Sequence, residues 1–308
     1  MLAQNFLDTP KRVPKPRDYG LTSLIDNGVP TRYFVDVVES DAHLIDIVKF
    51  GWCTAMVTSE LERKIQCLIE NGVKFYFGGT LFEKALAQKK LDAYYRFLRR
   101  FDCQIVEISN GTLPLSSKEK GRFIADFADE FYVVSEVGKK DVNEADEMPV
   151  AQWIEEIQAD LEAGARRVIL EARESGRSGI CNARGHLRKD LLEGISGAPF
   201  DSSDAIWEAP TKALQAKLIS ALGPNVNLGN IAFGDVIGLE TLRLGIRSDT
   251  FNLYDGPNGR FLEPEAKPAP SRFSTGVGRR KKQLEELEAR MKDWGQPDVR
   301  ISGMRRLK

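Results

Sequence analysis

Four glutamates, Glu107, Glu136, Glu171 and Glu208, each stand directly after hydrophobic residues at the end of a short apolar run. Carboxylates carried into apolar surroundings are costly unless a cation or a proton neutralises them. The candidate partners in this chain are Lys49, Lys139 or Lys140, Arg173, Lys212 and a divalent metal. An all-oxygen donor set, without histidine or thiolate, favours Mg2+ or Mn2+ over zinc. Lys49 shares strand parity with Ile45 and Ile47 and so points where they point. An inward lysine serves as an acid–base group, a Schiff-base nucleophile, an anion clamp or the salt-bridge partner of a glutamate. Glu171 and Arg173 also share one parity, which suits an arginine held by a carboxylate and presented to an anion.

Other signals are less specific. Gly78-Gly79 can bring backbone amides close to a ligand, although Thr80 with Glu83, like Ser59 with Glu62, also reads as a helix capping box. The stretch Val226–Ile231 contains Asn227, Gly229 and Asn230 and leads into a helix start near Phe233-Gly234. Amides and a helix N-terminus in that position commonly hold phosphate. Histidine chemistry is nearly excluded: His43 and His186 are the only two, and both read as structural or solvent-facing.

These residues need a scaffold that brings strand ends together. Apolar, β-branched runs occur at Leu21–Ile25, Leu44–Phe50, Val73–Phe77, Gln104–Ile108, Phe131–Val137, Arg167–Glu171, Ala205–Glu208 and Asn225–Ile231. Amphipathic stretches separate them, with helix stops at Asn71-Gly72, Gly164 and Gly223-Pro224. Eight strands alternating with eight helices, with no hairpin pair, predict an α/β fold, a (β/α)8 TIM barrel with a C-terminal extension. An open doubly wound sheet is the alternative, but no GxGxxG follows the first run. In a barrel the C-terminal strand ends carry function, and that is where the glutamates stand.

The division expected is a barrel domain over 1–255 and a proline-rich linker with a basic helical tail over 256–308. The tail holds thirteen Lys/Arg against seven Asp/Glu, in a chain of 308 residues whose net charge is −1. The near-neutral balance argues against a dedicated nucleic-acid surface. The absence of any apolar run of membrane length argues against a span. Four scattered cysteines, with no CxxC, read as reduced thiols in a cytoplasmic protein. The tail helix, with Leu284, Leu287 and Met291 on one face, is expected to pack on the body or on a neighbouring subunit of a homo-oligomer.

At these same residues the chain resembles the phosphosulfolactate synthase family, whose relatives include plant heat-stress-associated barrel proteins. The matching runs are Lys49-Phe50-Gly51-Trp52, Gly78–Glu83, Glu107-Ile108-Ser109, Glu136–Asp141, Glu171–Gly176, Glu208-Ala209-Pro210, Val226–Ile231 and Leu239–Arg243. In order, they cover roughly residues 15 to 252. The loop Arg177–Asn182 follows the pattern only loosely, and the tail lies outside it.

The resemblance implies a barrel that adds sulfite to C3 of phosphoenolpyruvate with Mg2+, giving (2R)-phospho-3-sulfolactate on the way to coenzyme M or related sulfonates. The substrate is thus a small phosphorylated anion. Transferred to this chain, it implies Glu107, Glu136, Glu171 and Glu208 as metal ligands or as the groups that orient them. Lys139 or Lys140 becomes the general acid. Lys49, Arg173 and Lys212 become anion clamps, and Lys49 remains a further candidate for proton transfer. Asn227, Gly229 and Asn230 would bind phosphate. Two other functions stay open: a Schiff-base aldolase using Lys49, and a stress-associated barrel without turnover.

Overall fold

The computed structural model describes residues 6–138, 148–172, 179–182 and 184–254. Eight strands form one sheet: β1 (Thr22–Asp26), β2 (Ile47–Phe50), β3 (Lys74–Phe77), β4 (Ile105–Ile108), β5 (Tyr132–Val137), β6 (Arg167–Leu170), β7 (Ala205–Glu208) and β8 (Leu228–Ile231). Their order is β3-β2-β1-β8-β7-β6-β5-β4, and every ladder is parallel. The sheet curls into a nearly closed (β/α)8 barrel. Across the seam between β3 and β4 the Cys103 thiol reaches the Phe75 carbonyl at 3.6 Å. All eight sequence-predicted strands are present.

Helices α1 (Thr31–Asp41), α2 (Leu61–Glu70), α3 (Gly79–Ala87), α4 (Leu91–Arg100), α5 (Ser117–Ala128), α6 (Val150–Glu162), α7 (Lys189–Ser196), α8 (Lys212–Leu222) and α9 (Val236–Arg243) lie between and after the strands. Among the described residues the strict one-to-one alternation fails between β3 and β4, where α3 and α4 both intervene. Gln88 caps α3, and Lys89 takes a left-handed φ of 57°, so the chain turns there without a glycine to announce it.

Both sheet faces are buried, as a parallel sheet under helices requires. In α4, Leu91, Tyr94, Tyr95 and Leu98 recur at helical spacing and form the inward stripe. On the outer face of the sheet Phe77 stacks on Phe50 at 5.6 Å and meets Phe97 at 4.7 Å. Truncating such a buried ring to alanine costs about 3–5 kcal/mol. The expected capping boxes are not the ones found. Neither Glu60, which caps α2, nor Gly78, which caps α3, uses a side chain, whereas Ser116 and Glu119 form a reciprocal box on α5.

The N-terminal rim is closed by arginines. Arg17 Nε donates to both carboxylate oxygens of Asp46 at 3.0 Å. The wholly buried Arg243 donates to the carbonyls of Pro224, Val226 and Leu21. Asn227 belongs to this rim. Its side chain accepts from Leu21 N–H at 3.0 Å and donates to the carbonyls of Ser203 and Ala205. With its amide spent there, before β8 begins, Asn227 lies at the end opposite the glutamates, and the expected phosphate role does not match its place. Cys53, Cys67, Cys103 and Cys181 are free thiols. Among the described residues no helix is long and apolar enough to cross a membrane.

Candidate active site at the C-terminal barrel mouth

Strand parity delivers the charged side chains to the barrel interior. Lys49 on β2 is paired in register with Ile25 on β1 and Tyr76 on β3. Its Nζ lies 3.2 Å from Glu208 Oε1, 3.3 Å from Glu107 Oε2 and 3.8 Å from Glu136 Oε2. One ammonium thus faces the ends of three strands. Burial alone would lower the Lys49 pKa, but Glu107, Glu208, Tyr76 and Glu136 outweigh it and hold the amine well above its ordinary value. A charged amine carries no lone pair for a carbonyl, so this environment disfavours the Schiff-base alternative.

Two of the carboxylates are held by backbone amides, and Glu136 is anchored through its main chain. Glu107 Oε1 accepts from Gly79 N–H at 2.7 Å, and Glu208 Oε2 accepts from Ala172 N–H at 2.9 Å. The carbonyl of Glu136 accepts from Lys120 Nζ at 2.6 Å, and the same ammonium pairs with Asp160 at 2.6 Å, tying α5, β5 and α6 together. Glu171 follows β6 directly. Gly138, with φ 129°, lets it and Trp153 pack close, since a Cβ there would lie 2.7 Å from both. Oxygens of Glu136, Glu171 and Glu208 lie within 4.8 Å of one another, all buried. Burial pushes the Glu208 carboxyl up to about 7, against the pull of Lys49, and Glu136 adds to the rise. With three carboxylates around one ammonium, burial still outweighs the ion pair at Glu208.

An open cavity of about 200 Å3 lies over this cluster. Lys49, Glu107, Glu136, Glu171 and Glu208 form its floor, and Gly78, Gly79, Thr80, Thr112, Asn230 and the half-exposed Trp52 contribute the wall. Of the candidates named from the sequence, these four glutamates, Lys49 and Asn230 are brought together. Gly229 sits within β8, where a Cβ would press on Ile206 at 3.1 Å. Lys212 is exposed at the start of α8 and pairs with Asp249 at 3.2 Å, away from the cavity lining. Lys139, Lys140 and Arg173 lie outside the described residues.

Residues 10–249 match the model of the family described as (2R)-phospho-3-sulfolactate synthase (ComA). A phosphosulfolactate synthase of Bacillus subtilis is 51% identical over 247 residues, which span 80% of this chain and 98% of that protein. The chain belongs to the phosphosulfolactate synthase family. A second relative of that name, from Methanothermobacter thermautotrophicus, is 40% identical over 255 residues, covering 81% of this chain and 98% of its own. A third, from Methanocaldococcus jannaschii, is 39% identical over 236 residues, covering 75% and 94%.

Three features of this family member escaped the sequence reading. Thr112 reaches the cavity from the β4–α5 loop because Glu83 holds that loop. Glu83 Oε1 accepts from the Ser109 hydroxyl at 2.6 Å, and Oε2 accepts from Thr112 and Leu113 N–H at 2.7 Å. Read as a cap for its own helix, Glu83 instead serves a neighbouring loop. Tyr76 is the second, and its signal was present: between Phe75 and Phe77, which share the outer face, parity turns it inward beside Lys49. Trp52, with a left-handed φ of 52°, is the third, and no pattern in the sequence marked that conformation.

Proposed function

We propose that this chain is a lyase that joins sulfite to C3 of phosphoenolpyruvate, giving (2R)-phospho-3-sulfolactate, with Mg2+ as its metal. The observation that carries the reading is the convergence of Glu136, Glu171 and Glu208 at the cavity floor in a member of this family. The donors are hard oxygens without histidine or thiolate, so the residues suit a divalent cation of the Mg2+ type. Glu136, Glu171 and Glu208 would hold it. Bound there, the ion would stabilise negative charge developing on the substrate carboxylate.

The remaining work falls to the chain itself. The sulfur lone pair forms the bond to C3, the C2–C3 π electrons move towards C2 and the carboxylate, and a proton from a lysine completes C2. Lys139 or Lys140 is the proposed acid, and Arg173 the proposed anion clamp. Wall groups around Gly78–Thr80, Thr112 and Asn230 would receive the phosphate and exclude water from the reacting carbon. The same reading makes the chain a cytoplasmic homo-oligomer, with residues 256–308 an appendage to the barrel. The test is consumption of phosphoenolpyruvate with sulfite and Mg2+, with and without a chelator. Sulfite-dependent loss abolished by chelation supports the reading; no loss under any condition overturns it.

A further inference from the structure

Lys49 and the candidate metal group draw on the same carboxylates. Glu136 and Glu208 belong both to the three residues within 4.8 Å of one another and to the three that surround Lys49 Nζ. Glu107 stands apart: it contacts Lys49 and Gly79 N–H but is not in the metal group. Glu208 commits both oxygens, Oε1 to Lys49 and Oε2 to Ala172 N–H.

From this sharing we infer that Lys49 is a positioning residue, a built-in counter-cation. It keeps Glu107, Glu136 and Glu208 gathered and, by its charge, limits how tightly the site binds a divalent ion. This deepens the function proposed above and rests on it for the identity of the ion. The physical ground is the cost of unbalanced buried charge. Removing one partner of a buried ion pair leaves the other uncompensated, whereas a cation close to a second cation weakens its binding. The two effects have opposite signs in the two measurements. Without Lys49 the metal-free protein loses stability, while a divalent ion meets less repulsion and restores more of it.

The full-length chain would be studied as wild type, Lys49→Met, Lys49→Arg, Glu107→Gln and the Lys49→Met/Glu107→Gln pair. Thermal unfolding without divalent ion and calorimetric titration with Mg2+ alone supply the readouts. Lys49→Met should lower the metal-free Tm by about 10 °C and tighten Mg2+ at least about tenfold. Lys49→Arg should remain close to wild type in both. In the double variant Glu107 is neutral and its Gln oxygen can still accept from Gly79, so much of the lost Tm should return.

A merely structural lysine would not tighten the metal. Unchanged or weakened Mg2+ affinity in Lys49→Met relative to wild type, and in the double variant relative to Glu107→Gln, would overturn the inference. Should Lys49→Met fail to fold alone, the double variant compared with Glu107→Gln still reports the affinity. If wild type binds no Mg2+, it is the proposed metal that fails. The counter-cation role is then decided by the Tm cycle, where additive effects of the two substitutions would sink it.

Discussion

Gly79 N–H donates to Glu107 Oε1 at 2.7 Å, and Gly79 has no room for a side chain. A Cβ built on it would stand 2.2 Å from the Ser109 hydroxyl oxygen and 2.7 Å from that same carboxylate oxygen. The first turn of α3 and the end of β4 are therefore in direct contact, across the seam that no strand ladder closes. Gly79→Ala should move Glu107 or Ser109 and cost about 1–3 kcal/mol in stability. With Glu107 displaced, kcat/KM for sulfite addition should fall at least about tenfold, a loss of about 1.4 kcal/mol. Thermal unfolding and the phosphoenolpyruvate assay check the two parts separately, and an alanine variant with wild-type kcat/KM would show that this contact does not position the site.

The Glu83 clasp makes a different prediction. Its carboxylate accepts from the Ser109 hydroxyl and from two backbone amides. Alanine leaves the buried Ser109 hydroxyl and two less buried amides without their acceptor, at a cost of about 1–3 kcal/mol for the buried donor. Glutamine can turn its oxygen to the two amides and offer its NH2 to the Ser109 oxygen. Glu83→Gln should thus keep most of the stability and activity, while Glu83→Ala loosens Thr112 and raises KM more than it lowers kcat. Equal damage from both variants would mean that the negative charge, rather than the bond pattern, is what the loop requires.

Metal removal tests the carboxylate group. Glu171→Gln and Glu208→Gln should each retain the fold while weakening Mg2+ binding in the presence of phosphoenolpyruvate. Each deletes one hard donor charge from a group of three. Calorimetry with circular dichroism as a fold control provides the comparison. Binding as tight as wild type in both variants would remove them from the metal site.

A pH effect is expected at the other rim. Burial lowers the Lys74 pKa to about 8, with Asp18 and Asp46 opposing and Lys15 assisting. The unfolded chain holds this proton up to about 10.5, the folded one only to about 8. Between those values the unfolded state binds more protons, so stability from this group rises with pH, and below about pH 8 its penalty is fully present. Lys74→Met should therefore raise Tm relative to wild type at pH 7 and lose that advantage near pH 10. A constant difference across the range would assign the effect to packing instead of protonation.

Much of this molecule is written locally in its residues. Short β-branched runs bounded by turn signals marked every strand, because apolar strands under helices need little context to be recognised. Period-2 alternation placed Lys49 inside, because parity along one strand survives whatever the neighbours do. It also left each glutamate at a strand end. What parity cannot supply is distance across the barrel, since opposition of β2 to β4, β5 and β7 depends on how the strands stagger and close. The gathering of Glu107, Glu136 and Glu208 around one ammonium is a tertiary event. So is the selection of Glu136, Glu171 and Glu208 as a group.

The same limit explains the residues that went elsewhere. Asn227 and Asn230 are three apart in sequence and sit at opposite ends of β8, one sealing the arginine-rich rim and the other lining the cavity. Lys212 follows a strand end closely, but α8 begins with it and carries its ammonium out to Asp249. Glu83 has the spacing of a helix cap, yet the loop it holds arrives from 26 to 30 residues downstream. Spacing along the chain determines which face a side chain takes within its own element. Only the curled sheet, by bringing separate elements within hydrogen-bonding reach, decided which partner it meets.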